Sequence, residues 1–484
     1  MLVTVAIIVV LVALVWKFTG RPKGLPPGPT CYPVIGNSGL FKPSEAVRAH
    51  RNLRKKYGDI YTLMIFHHQM IIVHGYENIR ELLYTHGDLF SDRPNTIING
   101  VFNKQKGLMW ASGVLWKEQA KFAVATMKKF GFGTHSLQGQ IMEEVDCLMG
   151  ELEKKDKQPI NIKSTLDASV SNVICSLLFG RRFDYEDAKF KELVISLEKM
   201  FASTNPSSPV FIFPTLHHLP MTSFGQMEKS FKKIDEFTKE MIQEHRRKFD
   251  ENNINDFIDS FLMEKKRRGT GRNSTFTDEQ LTIVIREMFG AGTETTSNTI
   301  LWALLALIHY PKWQETLREN IDTAIGQSQP KMEDKENLPN VEAFILEVQR
   351  YANVAPFGIP HAPKKDFEYN GYLFPKGTCV TFAIDSVMMD PAIFPEPLLF
   401  KPERFLDEEG KCNGEQKEKL IPFSTGPRSC IGQSLAKMEL FLFLARFLQW
   451  FEIKPEKPNC LPPFEGNLGL TNMPRSFQLI LEKR

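Results

Sequence analysis

A mainly α-helical single domain with small β-sheets at its margins is the fold class this sequence predicts, and three observations predict it. Between about residues 139 and 350, apolar residues recur at three- and four-residue spacing, as in SLQGQIMEEVDCLMGELEKK (136–155) and MEKSFKKIDEFTKEMIQEHRRKF (227–249). That period belongs to amphipathic helices. Runs with strand character are few and lie towards the two ends: DIYTLMIF (59–66), QMIIVHG (69–75), CVTFAID (379–385) and SFQLILEK (476–483). No shift of composition marks a second domain, although 484 residues is long enough for two or three.

The first segment differs from all that follows. MLVTVAIIVVLVALVW, Met1 to Trp16, carries no charge. As a helix it spans about 24 Å, and Phe18 with a snorkelling Lys17 extends it towards a bilayer's width. A cleaved signal peptide is the competing reading. Against it, no basic residue precedes the apolar run and no small-x-small site follows. Lys17, Arg21 and Lys23 follow directly, so the positive-inside rule leaves the rest of the chain in the cytosol. Residues 1–18 are therefore expected to be a membrane anchor.

Residues 19–33 form a basic and proline-rich hinge ending in GLPPGPTCYP, a semi-rigid extended spacer, and 34–484 form the globular domain. A second apolar patch, 209–220, is too short to cross a bilayer; it is either a core loop or a dip into the membrane surface.

Sixty basic against 57 acidic residues leave a formal charge of +3, which argues neither for nor against nucleic acid, and no nucleic-acid partner is expected. The seven cysteines, Cys31, Cys147, Cys175, Cys379, Cys412, Cys430 and Cys460, are scattered without a C-x-x-C pair. That usage suits a reduced compartment and speaks against a disulfide framework or a zinc site.

The longest helical stretch, TDEQLTIVIREMFGAGTETTSNTILWALLALIHYP, opens on a capping pattern, Thr277 with Gln280, and stops at Pro311. Roughly 33 residues give about 50 Å, enough to cross a large domain. Its middle is costly for a helix: Gly290 and Gly292 each lose about 1 kcal/mol against alanine. Glu294 and Thr295 set an acid and a hydroxyl in that weak turn, and a buried carboxyl needs a reason. Close helix packing is one explanation for the glycines; a kinked groove beside a small reacting ligand is the better one.

Near the end, PFSTGPRSCIG (422–432) sets Cys430 between Gly426 and Gly432, which are both expected to allow a tight turn, with Arg428 two residues before it. QSLAKMELFLFLARFLQW follows with apolar residues at helical spacing, so Cys430 sits just before a helix N-terminus. The partial positive charge and free N–H groups there favour a thiolate.

With AGTETT, EVQR (347–350), PERF (402–405) and FSTGPRSCIG in this order, the chain resembles the cytochrome P450 superfamily of haem-thiolate monooxygenases from the hinge to the C-terminus. NDFIDSFL (255–262) and IPH (359–361) look most like the microsomal second family. The resemblance implies one large domain with a haem between the long central helix and the helix after the cysteine loop. It implies haem b with Cys430 as the axial thiolate, a ligand that favours O–O cleavage. By similarity, Thr295 and Glu294 form the acid–alcohol pair that supplies protons to the reacting oxygen. Arg93, Trp116, His361 and Arg428 are the propionate partners, and Glu347, Arg350 and Arg404 are a structural charge triad.

One position departs from the family. The helix near the haem usually reads W-x-x-x-R, but WKEQAK has Ala120 where the arginine belongs. A charge-assisted bond of about 1.5–3 kcal/mol is then missing, and whether Lys121 replaces it is open. Met388 and Met389 stand where a histidine often precedes Asp390-Pro391.

The family also implies an endoplasmic-reticulum enzyme drawing NADPH electrons through cytochrome P450 reductase, with cytochrome b5 as a second donor. Lys117, Lys121 and Lys128 share one helix face and suit steering of an acidic partner. Pocket walls by family position are Ile97, Ile98, Phe102, Phe201, Met288, Phe289, Ala291, Val354, Phe357, Ile359 and Leu468, so the substrate is expected to be a lipophilic small molecule such as a xenobiotic, fatty acid or steroid. Two alternatives remain: a peroxide isomerase or dehydratase needing no reductase, and a non-catalytic haem sensor or carrier. Neither requires the acid–alcohol pair.

Overall fold

The computed structural model describes residues 23–32, 36–37, 45–65, 68–96, 98–131, 135–203, 223–269, 271, 274–412 and 414–484. The expected anchor over 1–18, the first part of the hinge, Ile97 and the 209–220 patch lie outside them. Among the described residues no helix is long and apolar enough to cross a membrane. The described part of the hinge is laid against the body. The Thr62 amide donates to the Pro27 carbonyl at 2.7 Å, the Leu373 amide to Gly24 at 2.8 Å, and Leu25 and Cys31 are buried.

In chain order the first elements are α1 (Ala46–Tyr57), β1 (Ile60–Ile65), β2 (His68–Val73) and α2 (Tyr76–Arg80). Then come α3 (Gly113–Lys129), α4 (His135–Glu153), β3 (Pro159–Ile160), α5 (Lys163–Phe179), α6 (Ala188–Ser203) and α7 (Ser223–Lys248). The middle holds α8 (Phe257–Arg268), α9 (Asp278–His309), α10 (Pro311–Ala324) and α11 (Pro339–Ala352). After it follow β4 (Phe367–Tyr369), β5 (Tyr372–Phe374), β6 (Cys379–Phe382), α12 (Asp385–Met388) and α13 (Glu415–Lys419). The chain closes with α14 (Gln433–Trp450), β7 (Phe451–Pro455), β8 (Gly466–Leu468), β9 (Asn472–Pro474) and β10 (Leu479–Lys483).

The strands make two small three-stranded sheets, β1-β2-β6 and β3-β10-β7, and two hairpins, β4-β5 and β8-β9. β1 and β2 pair antiparallel, whereas β6 joins β2 in parallel, bringing residues about 310 positions apart into register (Met70 with Cys379). One large apolar core draws on α4, α5, α9, α11 and α14; a second lies under the first sheet around Phe90, Phe374 and Val380. Each buried leucine or phenylalanine contributes about 1.5–3 kcal/mol, so the helical layer dominates the stability.

α9 is the axis. The Thr277 hydroxyl caps it by accepting from the Gln280 amide at 3.1 Å. The capping pattern is only half used, because the Gln280 side chain instead exchanges two hydrogen bonds with the Gly107 backbone.

Candidate active site

The cysteine loop is shaped by what it packs against. Gly426 has φ +78°, and a Cβ there would lie 1.7 Å from the Leu83 carbonyl oxygen. Only glycine permits both. Gly432 differs from expectation: as N-cap of α14 it has φ −85°, and a Cβ would make ordinary contact with the Cys430 sulfur at 3.8 Å. Ser424, not a glycine, takes the other left-handed position, φ +61°.

The Cys430 amide donates to the Phe423 carbonyl at 3.0 Å, which fixes the sulfur at the head of α14. The side chain is open on one side, yet enough protein surrounds it to penalise a charge. Burial pushes the thiol up, and the Gly432 amide aimed at the sulfur opposes this only in part.

The second feature is on α9. From Gln280 to Ile308 its residues are buried except Ala291, Gly292 and Thr295, which share one face and leave a notch. The helix runs through it without a break from Asp278 to His309. Both glycines serve packing: a Cβ on Gly290 would press on Leu197 of α6 at 3.2 Å, and one on Gly292 on Ile174 of α5 at 3.3 Å.

The Thr295 hydroxyl turns back to the Ala291 carbonyl at 2.8 Å. Glu294 is buried and accepts from the Asn298 amide at 2.9 Å and the Thr471 hydroxyl at 3.5 Å. Burial raises its carboxyl to about 7, against the pull of Lys163. Acid and alcohol are thus neighbours without a mutual hydrogen bond. A proton passing between them needs an intervening water or a turn of either side chain.

The third feature is a cluster of cations. Arg93, half-buried, donates to the carbonyls of Met109 (2.9 Å), Ile359 (3.1 Å) and Pro360 (2.8 Å). Arg428 donates to Leu108 (3.2 Å) and Ala111 (2.5 Å), and its guanidinium lies 4.2 Å from the centre of the buried Trp116 ring. Burial lowers Arg428 to about 10, and burial with Arg428's charge lowers Arg93 as well. His361 is buried beside them, with Nδ1 2.7 Å from the Phe90 carbonyl. A carbonyl only accepts, so Nδ1 carries the proton and Nε2 of the neutral ring is a lone pair. Burial and Arg93 hold it neutral.

The family profile of Cytochrome P450 matches residues 26–481. The chain belongs to the cytochrome P450 family. It is 38% identical to cytochrome P450 2C3 of Oryctolagus cuniculus, covering 97% of this chain and 96% of the relative. It is 36% identical to cytochrome P450 2U1 of Homo sapiens (99% and 92% covered) and 35% to human cytochrome P450 2C8 (96% and 95%). All three carry second-family designations. The chain is accordingly a P450 monooxygenase, an oxidoreductase that uses haem with a thiolate ligand.

The residues fit that haem. Arg93 and Arg428 lie close enough to act on each other, Glu287 opposes the charge of Arg428, and the buried Arg428 Nε has no hydrogen-bond partner among the described residues. Such a cluster suits a group with two carboxylates. His361 differs from the other partners, because an anion at Nε2 requires the ring to take a second proton.

The P450 charge triad is assembled as expected. Arg350 meets Glu347 in a two-pronged pair, 2.7 Å on each arm, both wholly buried, and Arg404 Nε lies 3.1 Å from the same carboxylate. Arg350 also donates to the Met388 backbone carbonyl at 2.9 Å and lies 3.7 Å from the Met389 sulfur. At the departure point, Ala120 packs against the large core while Lys121 is exposed with Lys117 and Lys128. Lys121 is thus on the solvent face and does not stand in for the missing arginine.

Of the expected pocket walls, Phe102, Phe201, Met288, Phe289 and Val354 join the large core, and Phe102 stacks on Phe231 at 4.5 Å. Phe357 packs instead with His50 at 4.6 Å, against the small cluster around Tyr61.

Two charged residues on α9 escaped the sequence reading. Arg286 pairs with Asp235 of α7 at 2.5 Å and with the Asn103 side chain at 2.6 Å, tying α9 to α7 and to the segment at Asn103. Glu287 accepts from the amides of Leu108 (2.6 Å) and Met109 (2.8 Å), and burial raises it to about 7. It therefore anchors the loop whose carbonyls hold Arg93 and Arg428. The signal was present: IVIREMF sets two charges inside an apolar run, the same argument that singled out Glu294.

Proposed function

We propose that this P450 inserts one atom of dioxygen into a lipophilic small organic substrate, using NADPH electrons delivered by cytochrome P450 reductase. The notch at Ala291, Gly292 and Thr295, beside a carboxyl poised near neutrality, carries this reading. Haem b, when bound, would supply the oxygen-activating chemistry, with the Cys430 sulfur as the group that would hold its iron. Arg93, Trp116 and Arg428 would hold its propionates, joined by His361 once protonated. Glu294 keeps a proton inside a dry wall near the pH of the cell, and Thr295 presents its hydroxyl to the notch; this is general-acid work.

Substrate binding rests on the aromatic and aliphatic side chains around Phe102, Phe201, Met288 and Phe289, which offer apolar surface and few fixed polar partners. Lys117, Lys121 and Lys128 present a basic face to an acidic reductase, with cytochrome b5 as a second donor. Residues 1–18 anchor the chain in the endoplasmic-reticulum membrane, 19–33 are the hinge, and 34–484 are the catalytic domain on the cytosolic side.

The test is reconstitution with reductase and a panel of lipophilic compounds chosen by their low-spin to high-spin Soret shift. The expected result is NADPH consumption matched by oxygenated product. Turnover of a peroxide without reductase, or no turnover of any shifting compound, refutes the reading. A Cys430→His protein that kept the thiolate signature of its reduced carbon-monoxide complex would refute the ligand assignment.

A further inference from the structure

α1 carries no buried residue, so a few side-chain contacts set its place on the body. Two of them reach one short segment. Arg51 makes a two-pronged pair with Asp385, the first residue of α12, through Nε at 2.8 Å and Nη2 at 2.7 Å. Its neighbour His50 sets its ring 4.6 Å from that of Phe357. Phe357 lies in the stretch 353–360, which leads from the end of α11 to the bridge of His361 with Val380.

Asp385 passes that hold on. Its carboxylate also accepts from the Asn353 side chain at 3.1 Å, and its amide donates to the Pro356 carbonyl at 3.0 Å. Asn353 closes α11 in the left-handed region, φ +40°, a turn that sets the direction in which the segment leaves the helix. The Val354 carbonyl accepts from the Asn472 amide at 2.8 Å, and those of Ile359 and Pro360 accept from Arg93. Asn472 and Arg93 thus hold the two ends, and Asp385 and His50 act between them.

The Asp385 side chain is 7% exposed and that of Arg51 38%. An ion pair so placed adds little stability beyond what apolar groups of the same size would give, so geometry is its better use. A planar guanidinium with two donors on one carboxylate fixes angle as well as distance.

We infer that Arg51 and Asp385 are specificity-determining positioning residues. Through Asn353 and Pro356 they fix the stretch that carries Val354 and Ile359, both expected pocket walls, and so decide how bulky a lipophilic ligand the pocket admits. They act through that stretch and not by touching the ligand. The inference rests on the reading of a lipophilic pocket beside the haem.

Two nitrogen ligands of different bulk, imidazole and clotrimazole, test it on the full-length holoenzyme. Each is followed by the Soret shift that a nitrogen on the haem iron causes. Arg51→Met should weaken clotrimazole about tenfold, since the wall it meets is no longer preorganised, and leave imidazole within about twofold. Asp385→Asn should do the same, and adding Arg51→Met to it should weaken clotrimazole by less than about twofold more, because both residues serve one contact. Added salt should weaken clotrimazole in the wild type but not in Arg51→Met, since half of the pair faces water.

A merely structural role predicts that both ligands weaken together and in every salt concentration. That result, or clotrimazole binding unchanged in Arg51→Met, overturns the assignment. Arg51 is on the surface side of the pair, so its variant decides the matter even where Asp385→Asn fails to fold. Wild-type protein that binds imidazole but no clotrimazole would instead sink the lipophilic pocket on which the inference rests.

Discussion

Glu287 does two jobs that its substitutions should separate. Its carboxylate holds the buried amides of Leu108 and Met109, and it opposes the charge of Arg428. Glu287→Ala strands both amides. At about 1–3 kcal/mol each, the cost is about 2–6 kcal/mol, lessened as the loop opens to water. The carbonyls of Leu108, Met109 and Ala111 would then no longer hold Arg93 and Arg428, and haem should leave faster.

Glu287→Gln keeps an acceptor for both amides but sheds the charge. Raised from 4.5 to about 7, the wild-type carboxyl withdraws stability as pH climbs through that interval, because the folded state holds its proton longer than the unfolded one. The loss approaches about 3 kcal/mol above pH 7. The glutamine variant should match wild type near pH 4.5, exceed it above pH 7, and bind haem propionates more tightly. Haem transfer to apomyoglobin and urea midpoints at the two pH values, compared at equal denaturant slope, are the assays. Equal haem loss in both variants, or pH profiles parallel to wild type, would refute the argument.

Gly426→Ala should abolish thiolate-ligated haem rather than weaken it, because the new Cβ meets the Leu83 carbonyl at 1.7 Å in a strained backbone; a normal reduced carbon-monoxide spectrum would contradict this. Ala120→Arg should slow haem loss to apomyoglobin by roughly tenfold, from one recovered charge-assisted bond of about 1.5 kcal/mol or more. Neutralising Lys117, Lys121 and Lys128 together should flatten the ionic-strength dependence of turnover with reductase, and an unchanged dependence would remove the steering face. His245, bonded to Asp256 and the Met241 carbonyl at 2.7 Å each, has its pKa raised by those partners, with Asp259 also facing it, despite burial. It therefore stabilises fully below pH 6.5 and progressively less as pH rises through the folded value. His245→Ala should lose that slope, which urea midpoints at about pH 6 and about pH 9 would reveal.

How far the sequence could be read depended on whether a residue's role is local. The strands at 60–65, 68–73, 379–382 and 479–483 were legible from β-branched runs, and α14 from its apolar spacing. The three-residue strands β4, β5, β8 and β9 are too short for any periodicity to declare them. Cys430 was legible because glycines and an arginine crowd around it in sequence. The work of Gly426 was legible in kind, but its partner, the Leu83 carbonyl, lies more than 340 residues earlier. Gly432 misled, since a glycine beside a functional cysteine need not hold an unusual backbone. Glu287 carried a signal, a charge inside an apolar run, but its partners, the amides of Leu108 and Met109, lie in a loop nearly 180 residues earlier.

The two sides of the site are built by opposite means, and their failures should differ accordingly. Around Cys430 and the guanidiniums the chain adds groups: carbonyls fix Arg93 and Arg428, and the Gly426 turn fixes the sulfur. Loss of any one loosens the cofactor. On α9 the chain subtracts them, leaving Ala291, Gly292 and a back-bonded Thr295 in a wall otherwise closed. Filling that notch need not disturb the cradle, so Ala291→Val should retain haem and yet divert electrons from product.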